Sequence, residues 1–168
     1  MSPELDNNLC TKYPELFRNR NGSPQNTAMC WGFDCADGWY GLIKSICQFL
    51  MSDVNHLKAR IESEYYKDEE KDKMRLELIE AEKNIPVVVQ VKEKFGGLRF
   101  YVHDATEKQH DYIDFAEYLS YQICEECGTM KDVMSYNLGW IKTLCPEHAD
   151  KQYGEDAEQY RNGKLDEF

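Results

Sequence analysis

The spacing of apolar residues changes period along the chain, and each change predicts an element. Trp39, Leu42, Ile43, Ile46, Cys47, Leu50, Val54, Leu57 and Ile61 recur three or four residues apart, while Lys44, Gln48, Asp53 and Lys58 fall off that stripe. This is one face of a long helix, and Asp37 stands where its N-cap belongs. Residues 62–84 are charged throughout, with Met74, Leu76, Leu78 and Ile79 as apolar anchors. They predict a second, mostly exposed helix near 69–83, antiparallel to the first. The period then falls to two. Val87–Lys94 and Arg99–His103 flank Phe95-Gly96-Gly97-Leu98, which reads as a hairpin turning on Gly96-Gly97. Thr106 with Gln109 fits a capping box. It opens a helix over about 107–121 with Tyr112, Ile113, Ala116 and Leu119 on one face.

The remaining stretches carry less pattern. Pro3, Pro14, Pro24 and Asn21-Gly22 interrupt residues 1–28, which are expected to be irregular apart from one turn at Tyr13–Phe17 that docks Leu16 and Phe17. The fold class is therefore α+β: a small antiparallel sheet (hairpin 87–103) packed with helices, followed by a treble-clef-like zinc module. The expected division is a core over 1–122, the zinc module over 123–150 and a charged, flexible tail over 151–168.

The strongest chemical signal is Cys124-x2-Cys127-x17-Cys145-x2-His148. Two close pairs at this separation are the arrangement of zinc fingers and ribbons. A two-residue gap lets both sulfurs of a tight turn face one ion, and four N/S donors close a tetrahedral shell around zinc. Gly128 permits the left-handed backbone such a turn uses. Pro146 suits the first turn of a helix, which puts Cys145 at its N-terminus and His148 one turn in. Between the pairs, Val133, Tyr136, Leu138, Trp140, Ile141 and Leu144 are expected to form a hairpin and a mini-core. One structural Zn2+ is the cofactor this pattern calls for.

A turn at Gly96-Gly97 sets Lys94 opposite Arg99, Lys92 opposite Tyr101 and Gln90 opposite His103. Val89, Val91, Phe95, Leu98, Phe100 and Val102 then face the core, with Glu93 beside them near the turn. Lys92, Lys94, Arg99, Tyr101 and His103 gather on the other face. Like charges directly opposite each other are unfavourable, so this face calls for a negative partner: an acidic helix of the same chain such as residues 62–83, a phosphate-bearing ligand, or a carboxylate on another protein. Trp31, Phe33 and Trp39 lie in the aromatic, cysteine-containing run Cys30-Trp31-Gly32-Phe33-Asp34-Cys35-Ala36-Asp37-Gly38-Trp39. Trp31 and Trp39 either join the cationic face to stack a base or fill the core. Cys10, Cys30, Cys35 and Cys47 read as buried thiols, with a second metal site as the alternative.

Composition narrows the function. The chain has 168 residues and a formal net charge of −11, which opposes nonspecific binding to DNA or RNA. It suits solubility or a basic partner. No run of apolar residues is long enough to span a bilayer, and Met1–Asp6 is acidic rather than signal-like. Seven cysteines in uneven clusters fit metal ligands and free thiols better than a disulfide framework.

The strings CWGFDCADGW, VQVKEKFGGLRFYV and CEECG…GW…LC resemble a group of uncharacterised small proteins of bacteriophages and prophages, over roughly residues 10–148. The resemblance implies a viral origin, a place in the cytoplasm of an infected bacterium and an accessory role. The expected function is non-enzymatic: binding and inhibiting or sequestering a host factor, either a host or defence protein or a phosphate-bearing nucleotide. Homo-oligomerisation is compatible with this. A zinc-finger nucleic-acid-binding protein is the first alternative, and a small hydrolase using Asp34, Asp37 and His103 is the second.

Overall fold

The hairpin lies at the centre of the fold in the computed structural model of the chain, which describes residues 1–161. Strand β1 (Val87–Lys94) pairs antiparallel with β2 (Gly97–His103). The turn is one residue earlier than expected. Phe95 (φ 56°) and Gly96 (φ 76°) are its central residues, the doubly left-handed geometry of a type I′ loop. Gly97 instead belongs to β2, where a Cβ would lie 2.4 Å from the Tyr121 ring. Lys92 therefore opposes Arg99, Gln90 opposes Tyr101 and Lys94 opposes Gly97, rather than Lys94 opposing Arg99. Partners move by two positions, so side chains from Gln90 to Lys94 and along β2 keep their faces, while Val88 takes the fully buried place expected for Val89. Phe95 leaves the core side and is 64% exposed at the turn. A register shift between Val88 and Gln90 puts a bulge at Val89.

Two strands alone are marginal in water, and both outer edges here are covered. On the β1 side, the Val88 N–H donates to Leu16 O (2.9 Å) and the Glu93 N–H to Asp34 O (2.7 Å), while the Asp34 N–H donates to Val91 O (3.0 Å). On the β2 side, the Leu98 N–H donates to Ser120 Oγ (2.8 Å) and the Phe100 N–H to Glu117 Oε1 (2.6 Å). Ser120 and Glu117 belong to the 107–120 helix, whose capping box forms as expected: Thr106 Oγ1 accepts from the Gln109 N–H and Gln109 Oε1 from the Thr106 N–H.

The N-terminal region departs from the irregular expectation, because Pro3–Lys12 is helix α1. Pro3 is at the first helical position, where proline costs no hydrogen bond, and Leu9 is fully buried. Leu16 and Phe17 dock as expected. The long helix is interrupted. A 3-10 turn at Asp37–Trp39 leads into α2 (Tyr40–Leu50), and Met51 (φ −95°, ψ 1°) separates it from α3 (Ser52–Glu62). Trp39, Ile43, Ile46, Cys47 and Leu50 are buried. The break turns Met51 into the core and leaves Leu57 and Ile61 half-buried. Asp37 is no cap, since its Oδ1 accepts the Ser2 N–H at 2.6 Å. Helix α4 (Asp68–Lys83) folds back on α3 with Lys58 Nζ 2.9 Å from Glu82 Oε1, and the helix at Glu107–Ser120 is α5.

Strands β3 (Met134–Asn137) and β4 (Ile141–Leu144) form a second antiparallel hairpin, followed by α6 (Pro146–Tyr153) and a 3-10 segment, Gly154–Tyr160. The expected frayed tail is instead packed as far as residue 161. Ala157 is buried, Tyr153 stacks on Tyr136 and Arg161 bridges to Tyr136. Its residues 162–168 lie outside the described residues.

The second hairpin and its preceding turn are fastened to the core through one short segment. The Ala36 N–H donates to Glu125 Oε1 (3.1 Å), the Gly38 N–H to Glu125 O (2.7 Å) and the Trp39 indole N–H to Ile123 O (3.0 Å). A Cβ on Gly38 would meet Cys124 O at 2.2 Å, Glu125 O at 2.5 Å and Gly128 N at 2.5 Å. All three are backbone atoms and have little room to yield. Gly38→Ala is expected to cost about 2–4 kcal/mol in urea denaturation. Gly41→Ala, where the added methyl meets nothing within 4 Å, is expected to be neutral or slightly stabilising. Equal effects from the two substitutions would contradict this seat.

Candidate metal centre and the adjoining cleft

The four residues with metal-ligand spacing come together. Cys124–Gly128 folds into a tight turn, with the Gly128 N–H donating to Cys124 O (2.8 Å) and the Cys124 N–H to Thr129 O (2.8 Å). Gly128 adopts φ 76°, as the sequence pattern required. Cys145 has extended backbone at the N-cap of α6, Pro146 follows it, and the His148 N–H donates to Cys145 O at 3.1 Å. Turn, hairpin and ligand-bearing helix thus aim their donors at one point.

The four donor atoms lie within 4.8 Å of one another. Cys124 Sγ is 3.8 Å from His148 Nδ1, Cys145 Sγ is 3.1 Å from it, and Cys127 Sγ is 3.9 Å from Cys145 Sγ. A tetrahedral ion bound at about 2.0–2.3 Å needs donor separations of about 3.3–3.8 Å, so the geometry is compatible with a metal site. Cys124 and Cys145 are buried and Cys127 is exposed, which gives the centre one side open to solvent. Among the described residues no other group of three or more Cys, His, Asp or Glu donors converges in this way. The alternative second site is therefore not assembled. Cys30 Sγ donates to Thr27 O and Cys10 Sγ to Asp6 Oδ1. Cys35 is buried, and that burial pushes its thiol up to about 12. Cys47 is fully buried on α2.

The residues of the expected cationic face are dispersed. The Arg99 guanidinium sits 3.7 Å from Glu117 Oε2 and donates to Tyr121 OH at 2.9 Å. Its negative partner is thus on α5, not in residues 62–83. Tyr101 is half-exposed beneath Lys92, whose Nζ is 5.6 Å from the ring centroid. His103 is exposed opposite Val87 at the far end of the hairpin. Trp31 is exposed at the end of the 3-10 segment Ala28–Trp31. Trp39 is a core residue with no exposed surface and does not reach this face. The three hydrolase candidates are apart as well. Asp34 pairs through its backbone with Lys92 and Asp37 holds Ser2, while His103 is five positions along β1 from Asp34's backbone partner, about 16 Å away.

Lys92 and Lys94 instead line a cleft of about 890 Å³ between β1, the segment around Asp34 and the β3–β4 hairpin. Trp140 and Phe95 line it too, and each is 64% exposed. The sequence pattern put Trp140 and Leu138 in a mini-core, but both are exposed at the β3–β4 turn. Only Tyr136 and Leu144 of the apolar residues proposed there are fully inside. Glu93 ties the two hairpins together, its Oε1 accepting the Gly96 N–H and its Oε2 the Trp140 indole N–H, each at 2.7 Å. Thr143 Oγ1 donates to Gly96 O at 2.6 Å alongside. Beneath them, Lys142 Nζ lies 3.5 Å from Glu125 Oε2 and 3.6 Å from Glu126 Oε1. Burial holds the Glu125 carboxyl above its ordinary value, an upward shift that the nearby Lys142 only partly offsets.

No family model matches the chain, and neither a curated protein nor a solved structure does so. No helix among the described residues is long and apolar enough to cross a membrane.

Stripping metal from the purified protein with a chelator is expected to raise the number of rapidly reacting thiols by three, for Cys124, Cys127 and Cys145. It should also lower the urea midpoint, because binding free energy at such sites is folding free energy. An unchanged thiol count would contradict ligation by these cysteines.

Proposed function

We propose that the chain is a non-enzymatic binding protein, of the accessory kind that bacteriophages encode. In this reading it sequesters a host factor in the cytoplasm of an infected bacterium. The observation that carries the proposal is the cleft. It joins the two hairpins, its walls are fixed by Glu93, Trp140 and Thr143, and its aromatic and cationic groups face outward. Concave sites with a few fixed polar groups are where binding proteins hold their ligands.

The ion assigned to Cys124, Cys127, Cys145 and His148 is one structural zinc. Three thiolates and an imidazole suit zinc's preference for S and N donors, and four protein ligands leave no position for a reacting water. The zinc holds the second hairpin folded, and that hairpin forms one wall of the cleft. Direct nucleic-acid binding is the weaker reading, because a net charge of −11 repels an extended polyanion.

Native mass spectrometry of protein purified from expressing bacteria tests both assignments. The expected spectrum shows one zinc per chain and a further bound host component, released by mild denaturation. Less than about half an equivalent of zinc would overturn the metal assignment. Zinc with no co-purifying component, and no host protein retained on the immobilised chain, would overturn the binding function.

A further inference from the structure

The charge balance of the cleft points to one class of ligand. Of the lysines lining it, Lys142 is neutralised internally by Glu125 and Glu126. Lys92 and Lys94 have no carboxylate partner among the described residues, although the chain carries 31 acidic residues against 20 basic ones. Each ammonium group lies only over a ring, Lys92 over Tyr101 and Lys94 over Phe95 at 5.2 Å. Glu93 stands between them in sequence and lines the same cleft, but both its oxygens are occupied by N–H donors. Two like charges two residues apart on one strand face, about 7 Å from each other at their Cβ atoms, are unfavourable without an anion. Their separation suits two neighbouring phosphates.

The remaining lining supplies the other parts of such a ligand. Trp140 presents a largely exposed ring whose orientation is set by the bond from its indole N–H to Glu93, and Phe95 is held outward by the turn. Exposed aromatic faces held in place are stacking platforms for bases. Asp34 also lines the cleft and is fixed through its backbone to β1, and its carboxylate accepts no hydrogen bond among the described residues. A free carboxylate beside the cations is the acceptor that ribose hydroxyls use. The cleft volume is that of a small-molecule site, and the chain's net charge of −11 disfavours a longer polyanion.

We infer that the cleft binds a single nucleoside diphosphate or triphosphate, with its phosphates on Lys92 and Lys94, its ribose at Asp34 and its base against Trp140. This rests on the binding function proposed above and names its ligand class. Calorimetric titration of the zinc-loaded full chain with ADP, GDP, CDP and UDP in turn tests it. At least one is expected to bind saturably with Kd below about 100 μM, and more tightly than inorganic diphosphate or the matching nucleoside. Lys92→Gln/Lys94→Gln and Trp140→Leu should each raise that Kd about tenfold or more, with zinc content unchanged. The charge-matched control Lys71→Gln/Lys73→Gln on α4, outside the cleft lining, should leave it unchanged. The inference is overturned if none of the four binds at about 1 mM, if diphosphate alone binds as well, if the control pair loses as much affinity, or if a short oligonucleotide binds more tightly. Loss of nucleotide binding in a chain that still retains a host protein would sink this inference and leave the binding function standing. A chain that retains neither would sink both.

Discussion

The structure depends on the close approach of two backbones at Gly38. The turn carrying Cys124 and Cys127 lies directly on this glycine, at a separation that leaves no room for a side chain. Hydrogen bonds from Ala36, Gly38 and Trp39 fasten the same turn, and Trp39 is fully buried in the main core. One tryptophan thus belongs to the apolar face leading into α2 and also anchors the metal-ligand turn. Because Cys124, Cys127 and the anchoring carbonyls lie within five consecutive residues, an ion bound at this cluster would be mechanically linked to core packing.

The cleft follows from this linkage. Its floor contains Glu125, which is both the residue between two ligands and the acceptor for Ala36 and partner of Lys142. Its walls come from the first hairpin and from the second, and the latter follows directly on the turn that carries Cys124 and Cys127. In the proposed reading a metal bound by this cluster would be architectural: it would steady the turn and hairpin beside a site whose own groups are lysines, a carboxylate and an indole.

How much of this the sequence reveals depends on how local each feature is. The ligand set, the capping box at Thr106 and the presence of both helical and strand segments are written in short-range spacing, and they could be read directly. The register is not legible because Gly96-Gly97 offers more than one turn, and the turn formed is Phe95-Gly96, with Gly97 kept free of a side chain by Tyr121, more than twenty residues away. The helix break at Met51 and the exposure of Trp140 are likewise settled by tertiary packing, which periodicity does not encode. Pro3 reads in the sequence as an interruption and is a helix start in the structure. The run CWGFDCADGW reads in the sequence as a pocket lining or a core segment. It is the seat of the metal-ligand turn, and the signal for that was the glycine between Asp37 and Trp39.

The most direct test is hydrogen exchange, resolved to individual amides, with the metal bound and after its removal. The account predicts that removal exposes not only the 123–161 region but also the Ala36 and Gly38 amides and the Trp39 indole N–H, which lie outside the metal module. If those three groups keep their protection while the 123–161 region exchanges freely, the metal centre and the core are independent. The central claim of a shared seat would then be wrong.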